Sequence, residues 1–167
     1  IPSRRVDVDN APGVHRLIQR RLSADGIDWG DAELVILPDE RDPWDVQFYF
    51  LGVQWIEDFM VGSLGYYRVE DGQQTMDTDL CFSVDGRRWQ RPLRGGWIPR
   101  SPGPASAGIY AANRWLEVGG RWMTVYTATP NPHNTKHWEV TTMAAAFDAN
   151  RFVGLAAGPT PGGFMTE

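Results

Sequence analysis

One seven-residue segment occurs twice, 60 positions apart: Ser23-Ala24-Asp25-Gly26-Ile27-Asp28-Trp29 and Ser83-Val84-Asp85-Gly86-Arg87-Arg88-Trp89 both read S-x-D-G-x-x-W. Trp55-Ile56-Glu57 returns in the same step as Trp115-Leu116-Glu117, and Tyr49 returns one position late as Tyr110. Self-similarity at a fixed period marks a chain built by repeating one supersecondary unit. Strand signals fill the space between the marks. Val46 to Val53, Phe59 to Tyr67, Thr78 to Ser83 and Arg88 to Gln90 are rich in β-branched and aromatic residues or bounded by turn pairs such as Asp85-Gly86. The series restarts at Ile109–Asn113, Trp122–Ala128, Val140–Phe147 and Phe152–Leu155. Upstream, His15–Ser23 and Ile27–Trp29 read as the last two strands of a preceding unit, with loops expected at Pro38–Trp44, Glu70–Thr75, Gly95–Ala107 and Pro130–Lys136. Met143-Ala144-Ala145-Ala146 also has good helix propensity, so a helix over Thr141–Phe147 is the competing reading of that segment.

Four antiparallel strands every 60 residues or so is the arithmetic of a β-propeller blade with long loops on one face. The expected fold is therefore all-β: one partial propeller domain over 1–167, with a blade remnant at 1–40 and blades at 41–95 and 96–158. A closed propeller needs at least four blades, so this length implies a part of one. The chain begins at Ile1 rather than Met, and its natural start is expected upstream.

Composition narrows the partners. The net charge of −5 argues against non-specific nucleic-acid binding, which needs a basic face. Arginine pairs such as Arg4-Arg5, Arg20-Arg21 and Arg87-Arg88 read as solvated strand edges. No apolar stretch approaches the ~20 residues of a membrane helix. Cys81 sits in an apolar run as a buried small hydrophobe and has no second cysteine to pair with. Compartment and oligomeric state are left open.

Asp77-Thr78-Asp79-Leu80-Cys81-Phe82-Ser83-Val84-Asp85-Gly86-Arg87-Arg88-Trp89-Gln90-Arg91-Pro92 resembles the D-x-x-L-x-x-S-x-D-G-x-x-W-x-R-P signature of bacterial proteins similar to glycoside hydrolases, which have the five-bladed propeller of levanases, invertases and arabinanases. Asp42-Pro43 before Phe48-Tyr49, Gly108-Ile109-Tyr110, Val125-Tyr126, His133 and Phe152-Val153-Gly154-Leu155 extend the resemblance over about 15–158. It implies a carbohydrate-active protein that cleaves O-glycosidic bonds with acids in a central cavity. Arg41-Asp42-Pro43 matches the R-D-P of levanase-like enzymes, whose Asp stabilises the transition state. Two positions depart from the family, Gln47 and Ala105, where relatives often carry an acid.

Blade topology sorts the candidates. The start of strand one, the strand two–three loop and the start of strand three share one end, and the S-x-D-G turn lies at the other. Asp25, Asp85, Trp29 and Trp89 are thus structural, the Trp filling space between blades, and Glu57 and Glu117 lie at the far end. The site end gathers Asp42, Asp45 and Asp77 as candidate catalytic carboxyls, since glycoside hydrolysis uses a pair of them. The competing reading of Asp77 is a loop-end residue bonding its own backbone, ahead of a substrate role. Trp44, Gln47, Tyr49, Tyr110, Asn131, His133 and Trp138 are the candidate substrate-binding groups, with rings to stack on sugar faces and polar side chains to bond hydroxyls. His133-x-x-x-His137 would suit zinc on a helix, but Pro130 and Pro132 oppose a helix there, so no metal or other cofactor is expected. Three functions follow: a glycosidase-like hydrolase, a non-catalytic carbohydrate-binding propeller, or a structural one.

Overall fold

A computed structural model describes residues 16–94, 96–133, 135–148 and 152. Every regular element among them is a strand: β1 (Ile18–Arg20), β2 (Glu33–Ile36), β3 (Gln47–Ile56), β4 (Phe59–Glu70), β5 (Gln73–Ser83), β6 (Gly108–Val118), β7 (Arg121–Thr129) and β8 (Thr141–Asp148). The all-β expectation holds, and Thr141–Phe147 is strand rather than helix. β1 and β2 pair antiparallel, while β3 to β8 form a six-stranded sheet in chain order. That sheet is two three-stranded antiparallel units, β3–β4–β5 and β6–β7–β8, joined only through the parallel pair Met76 and Gly108. No sheet closes on itself among the described residues.

The two units share their strand order, and turn chemistry recurs along the chain. Each first strand carries a register shift, between Phe48 and Leu51 in β3 and between Ala111 and Trp115, a few positions later in the repeat, in β6. Two-residue turns close the β4–β5 and β6–β7 hairpins. Asp71-Gly72 (φ 50° and 76°) and Gly119-Gly120 (φ 59° and 75°) have both central residues at positive φ, as a turn matching strand twist requires. The S-x-D-G turns are near copies as well. Asp25 Oδ1 accepts the Ile27 and Asp28 amides at 2.8 and 2.9 Å, and Asp85 Oδ1 accepts those of Arg87 and Arg88 at 2.8 and 2.9 Å. Ser23 and Ser83 hydroxyls accept the following glycine amides at 2.7 and 2.9 Å.

Several boundaries differ from expectation. Ile27–Trp29 is not a strand, because Asp25 has taken the amides of Ile27 and Asp28 that a ladder would need; the partner of β1 is β2 instead. Arg88–Gln90 shrinks to one bridge between Phe82 and Gln90. Glu70–Thr75 is no open loop, since β4 and β5 run on to the Asp71-Gly72 turn. Phe152 packs among aromatic rings, and the rest of the fourth strand expected at Phe152–Leu155 lies outside the described residues.

β4 is buried along most of its length. One face of β3–β4–β5 packs Phe48, Leu64, Tyr66 and Cys81 against Ile36 of β2, with Trp89 alongside. The other face packs Ile56, Val61 and Leu80 against Trp115 of β6. The two members of the Trp-x-Glu pair are used differently, Trp115 being 5% exposed and Trp55 61%; Trp29, of the S-x-D-G-x-x-W pair, is 58% exposed. Trp29 therefore does not fill an inter-unit space among the described residues. Cys81 is buried and unpaired, and burial pushes its thiol well above the ordinary range.

Candidate functional site

Alternation along β3 and β4 decides which side chains meet. Gln47 and Tyr67 are cross-strand partners, so they share one face with Tyr49, while Phe48 and Tyr66 share the other. The loop after β7 reaches this end: the His133 amide donates to the Gln74 carbonyl at 2.8 Å, beside the β4–β5 turn. Tyr110, near the start of β6, completes the approach. The result is a ring cluster drawn from three parts of the chain. His133 lies 5.0 Å from Tyr49, 5.4 Å from Tyr67 and 5.8 Å from Trp138, all edge-on, and Tyr110 lies 5.6 Å from Trp138. The Arg16 guanidinium sits over Tyr49 and Tyr67 at 5.2 and 5.0 Å.

Polar groups are set among these rings. Tyr110 Oη and His133 Nδ1 share a hydrogen bond of 2.7 Å. Burial, then the neighbouring Tyr49, pushes the Tyr110 phenol up. Gln47 is fully buried; its Oε1 accepts from Arg16 Nη1 at 3.0 Å and from the Arg16 amide at 3.2 Å. Its Nε2 has no acceptor among the described residues, an expensive state for a buried donor. Tyr49 (40% exposed) and Trp138 (41%) keep ring surface open to solvent.

The structure thus brings together five of the expected binding groups: Gln47, Tyr49, Tyr110, His133 and Trp138. It adds Arg16 and Tyr67. Tyr67 was legible in principle, because cross-strand pairing with Gln47 puts it on that face. Trp44 is 65% exposed and makes no ring contact among the described residues. Asn131 supports the loop, its Oδ1 accepting the Glu139 amide at 2.9 Å.

The three candidate acids are engaged elsewhere. Both oxygens of buried Asp42 accept from Arg91, at 2.6 and 2.8 Å, and also from the Asp39 amide and the Tyr66 hydroxyl. Arg91 reaches Asp79 as well, at 3.2 Å. Buried Asp45 accepts the Val69 amide at 2.9 Å and Arg68 Nη2 at 3.3 Å. Asp77 pairs with Arg100 at 2.8 Å and borders a cavity of about 290 Å³; Asp42 and Asp45 do not border it. Burial pushes the Asp42 carboxyl up, but the Arg91 bonds outweigh it and hold the group below the ordinary aspartate value. Such an acid keeps its charge at neutral pH and is a poor proton donor. No group of three or more His, Cys, Asp or Glu among the described residues could hold a metal ion.

A pH dependence follows. Glu70 is also held low: burial opposes, but Arg100 and then Arg68 prevail. Both native values lie below the free ones, 3.8 for aspartate and 4.5 for glutamate, so the folded chain binds fewer protons than the unfolded one in acid. This stabilisation is complete above the free values and drains away as pH falls through the depressed native ones. Urea midpoints at about pH 6 and about pH 3 are expected to differ, the acid one being lower; equal midpoints would refute the assignment.

No family model and no curated protein matches the chain. Among solved structures, it is similar to the crystal structure of an N-acetylgalactosamine deacetylase from F. plautii in complex with blood group B trisaccharide. The two are 15% identical, with a TM-score of 0.54, over 81% of this chain. The match spans 44% of the deacetylase chain, less than half its length, and at that identity the likeness concerns the fold.

Proposed function

We propose that this chain is part of a β-propeller, with units at 41–95 and 96–158 after a remnant at 1–40, and that it binds carbohydrate through the ring cluster. The observation that carries the reading is the convergence of Tyr49, Tyr67, Tyr110, His133 and Trp138, with Tyr49 and Trp138 partly open to solvent. The partly exposed ring faces of Tyr49 and Trp138 suit the C–H faces of a pyranose. The structural neighbour, solved with a bound trisaccharide, agrees with a sugar ligand. Binding is favoured over hydrolysis because two carboxyls must face one cavity for the latter. Here Asp42 and Asp45 are committed to guanidinium and backbone partners, which leaves Asp77 alone on a cavity wall.

The test is titration with a panel of neutral oligosaccharides, followed by calorimetry. Saturable binding is expected for at least one of them. Tyr49→Ala combined with Trp138→Ala should weaken it at least about tenfold, or about 1.4 kcal/mol. Both residues are partly exposed, so the fold should be unchanged by circular dichroism. Unaltered affinity in the double variant would sink the proposal, as would the absence of binding across the panel.

A further inference from the structure

On the opposite face of β4 from Tyr67, the cavity of about 290 Å³ is bordered by Arg68, Arg94 and Arg100, with Tyr66 and Asp77. Three guanidiniums around one small space is an unusual concentration in a chain of net charge −5. Their counter-charges are unevenly placed. Arg94 pairs with Asp39 and Asp42, Arg68 with Asp45 and Glu70, and Arg100 with Glu70 and Asp77. Of these acids only Asp77 borders the cavity, so its wall carries three cations against one anion. The remaining carboxylates act as anchors, fixing each fork from outside the cavity wall.

Two details show that the donors are not used up. Arg68 Nε and Arg94 Nε have no acceptor among the described residues, and being buried they meet a ligand only once the side chain turns toward the cavity. Arg94 bonds carboxylates through Nη1 alone, although a guanidinium offers five donors. Arg94 also has φ 59°, a left-handed backbone that non-glycine residues seldom adopt and that tends to persist where the surroundings enforce it for a purpose. The three side chains are only 20–28% exposed, so they are held in place before any ligand arrives.

We propose that this cavity is an oxyanion site, separate from the ring cluster, that takes a single carboxylate or sulfate group. Planar forks matched to such oxygens give short, charge-assisted bonds. The volume suits a free ion or one acidic sugar unit rather than an oligosaccharide. The proposal does not depend on the ring cluster binding sugar.

The experiment is calorimetric titration of the full chain with sodium sulfate, sodium glucuronate, glucose and sodium chloride at matched ionic strength. Sulfate or glucuronate should bind saturably and glucose should not. Tighter glucuronate binding identifies a sugar substituent as the source, and tighter sulfate a free ion. Arg94→Asn removes one fork with a residue that tolerates the left-handed region, and should weaken both anions at least about tenfold. Arg94→Gly serves the same purpose if the asparagine variant misfolds, and Arg94→Lys should fall between. Sulfate and glucuronate no better than chloride, or wild-type affinity in the folded Arg94 variants, would overturn the proposal.

Discussion

Arg91→Met should lose about 3–5 kcal/mol of unfolding free energy at neutral pH, the largest effect expected of any single substitution in this chain. Arg91 is almost fully buried, its guanidinium bonded to Asp42 on one side and Asp79 on the other. It also lies 4.3 Å from the Phe48 ring centre and 5.6 Å from that of Tyr66. Methionine keeps much of the volume against those rings but strands the acids. Asp79 loses its guanidinium, and Asp42 is left with the 3.5 Å contact to Arg94 among the described guanidiniums. Asp42→Asn should cost less, because Arg91 then retains Asp79. The order Arg91→Met worse than Asp42→Asn is therefore part of the prediction. Urea denaturation at about pH 7 and about pH 4 separates charge from packing: stranded buried acids take up protons as pH falls, so the deficit of Arg91→Met should shrink. A loss under about 1 kcal/mol, typical of a surface pair, would refute the role given to this network.

That network explains why the site was only half legible in the sequence. The ring cluster follows from strand alternation and chain order. Once strands start at Gln47 and Gly108, Tyr49 and Tyr110 occupy matching places, and the loop holding His133 must return to the same end. The acids are different, since their roles depend on which cation reaches them across the fold. Asp42 and Arg91 are 49 positions apart, and nothing local to Asp42 announces its partner. A signal did exist. Asp79 and Arg91 lie within one signature run, and a charged residue at each end of an apolar strand and turn invites pairing. Strand boundaries failed for a related reason at Ile27–Trp29, where a side chain captured the backbone donors. β2 carries only four residues, too few for periodicity to mark it.

Gly52→Ala, a change of one methyl group, should destabilise the chain by about 1–3 kcal/mol. A Cβ at Gly52 would stand 2.7 Å from the Cα of Asn113 and 2.8 Å from its Oδ1. Gly52 lies in β3 just past the register shift, and Asn113 lies within the shifted stretch of β6, so the contact is where one repeat meets the next. Side-chain rearrangement cannot relieve a clash with Cα; the two strands themselves must part. Asn113→Ala should therefore fail to rescue Gly52→Ala, although it removes the Oδ1 contact. Gly30→Ala is the control. Its nearest neighbour would be the Leu22 carbonyl at 3.5 Å and its φ is ordinary, so it should be neutral or stabilising by up to about 1 kcal/mol. The measurement is the urea midpoint of the three single variants and the double. If Asn113→Ala restored Gly52→Ala to wild-type stability, the backbone approach between the repeats would be disproved, and a side-chain contact would have to explain the glycine.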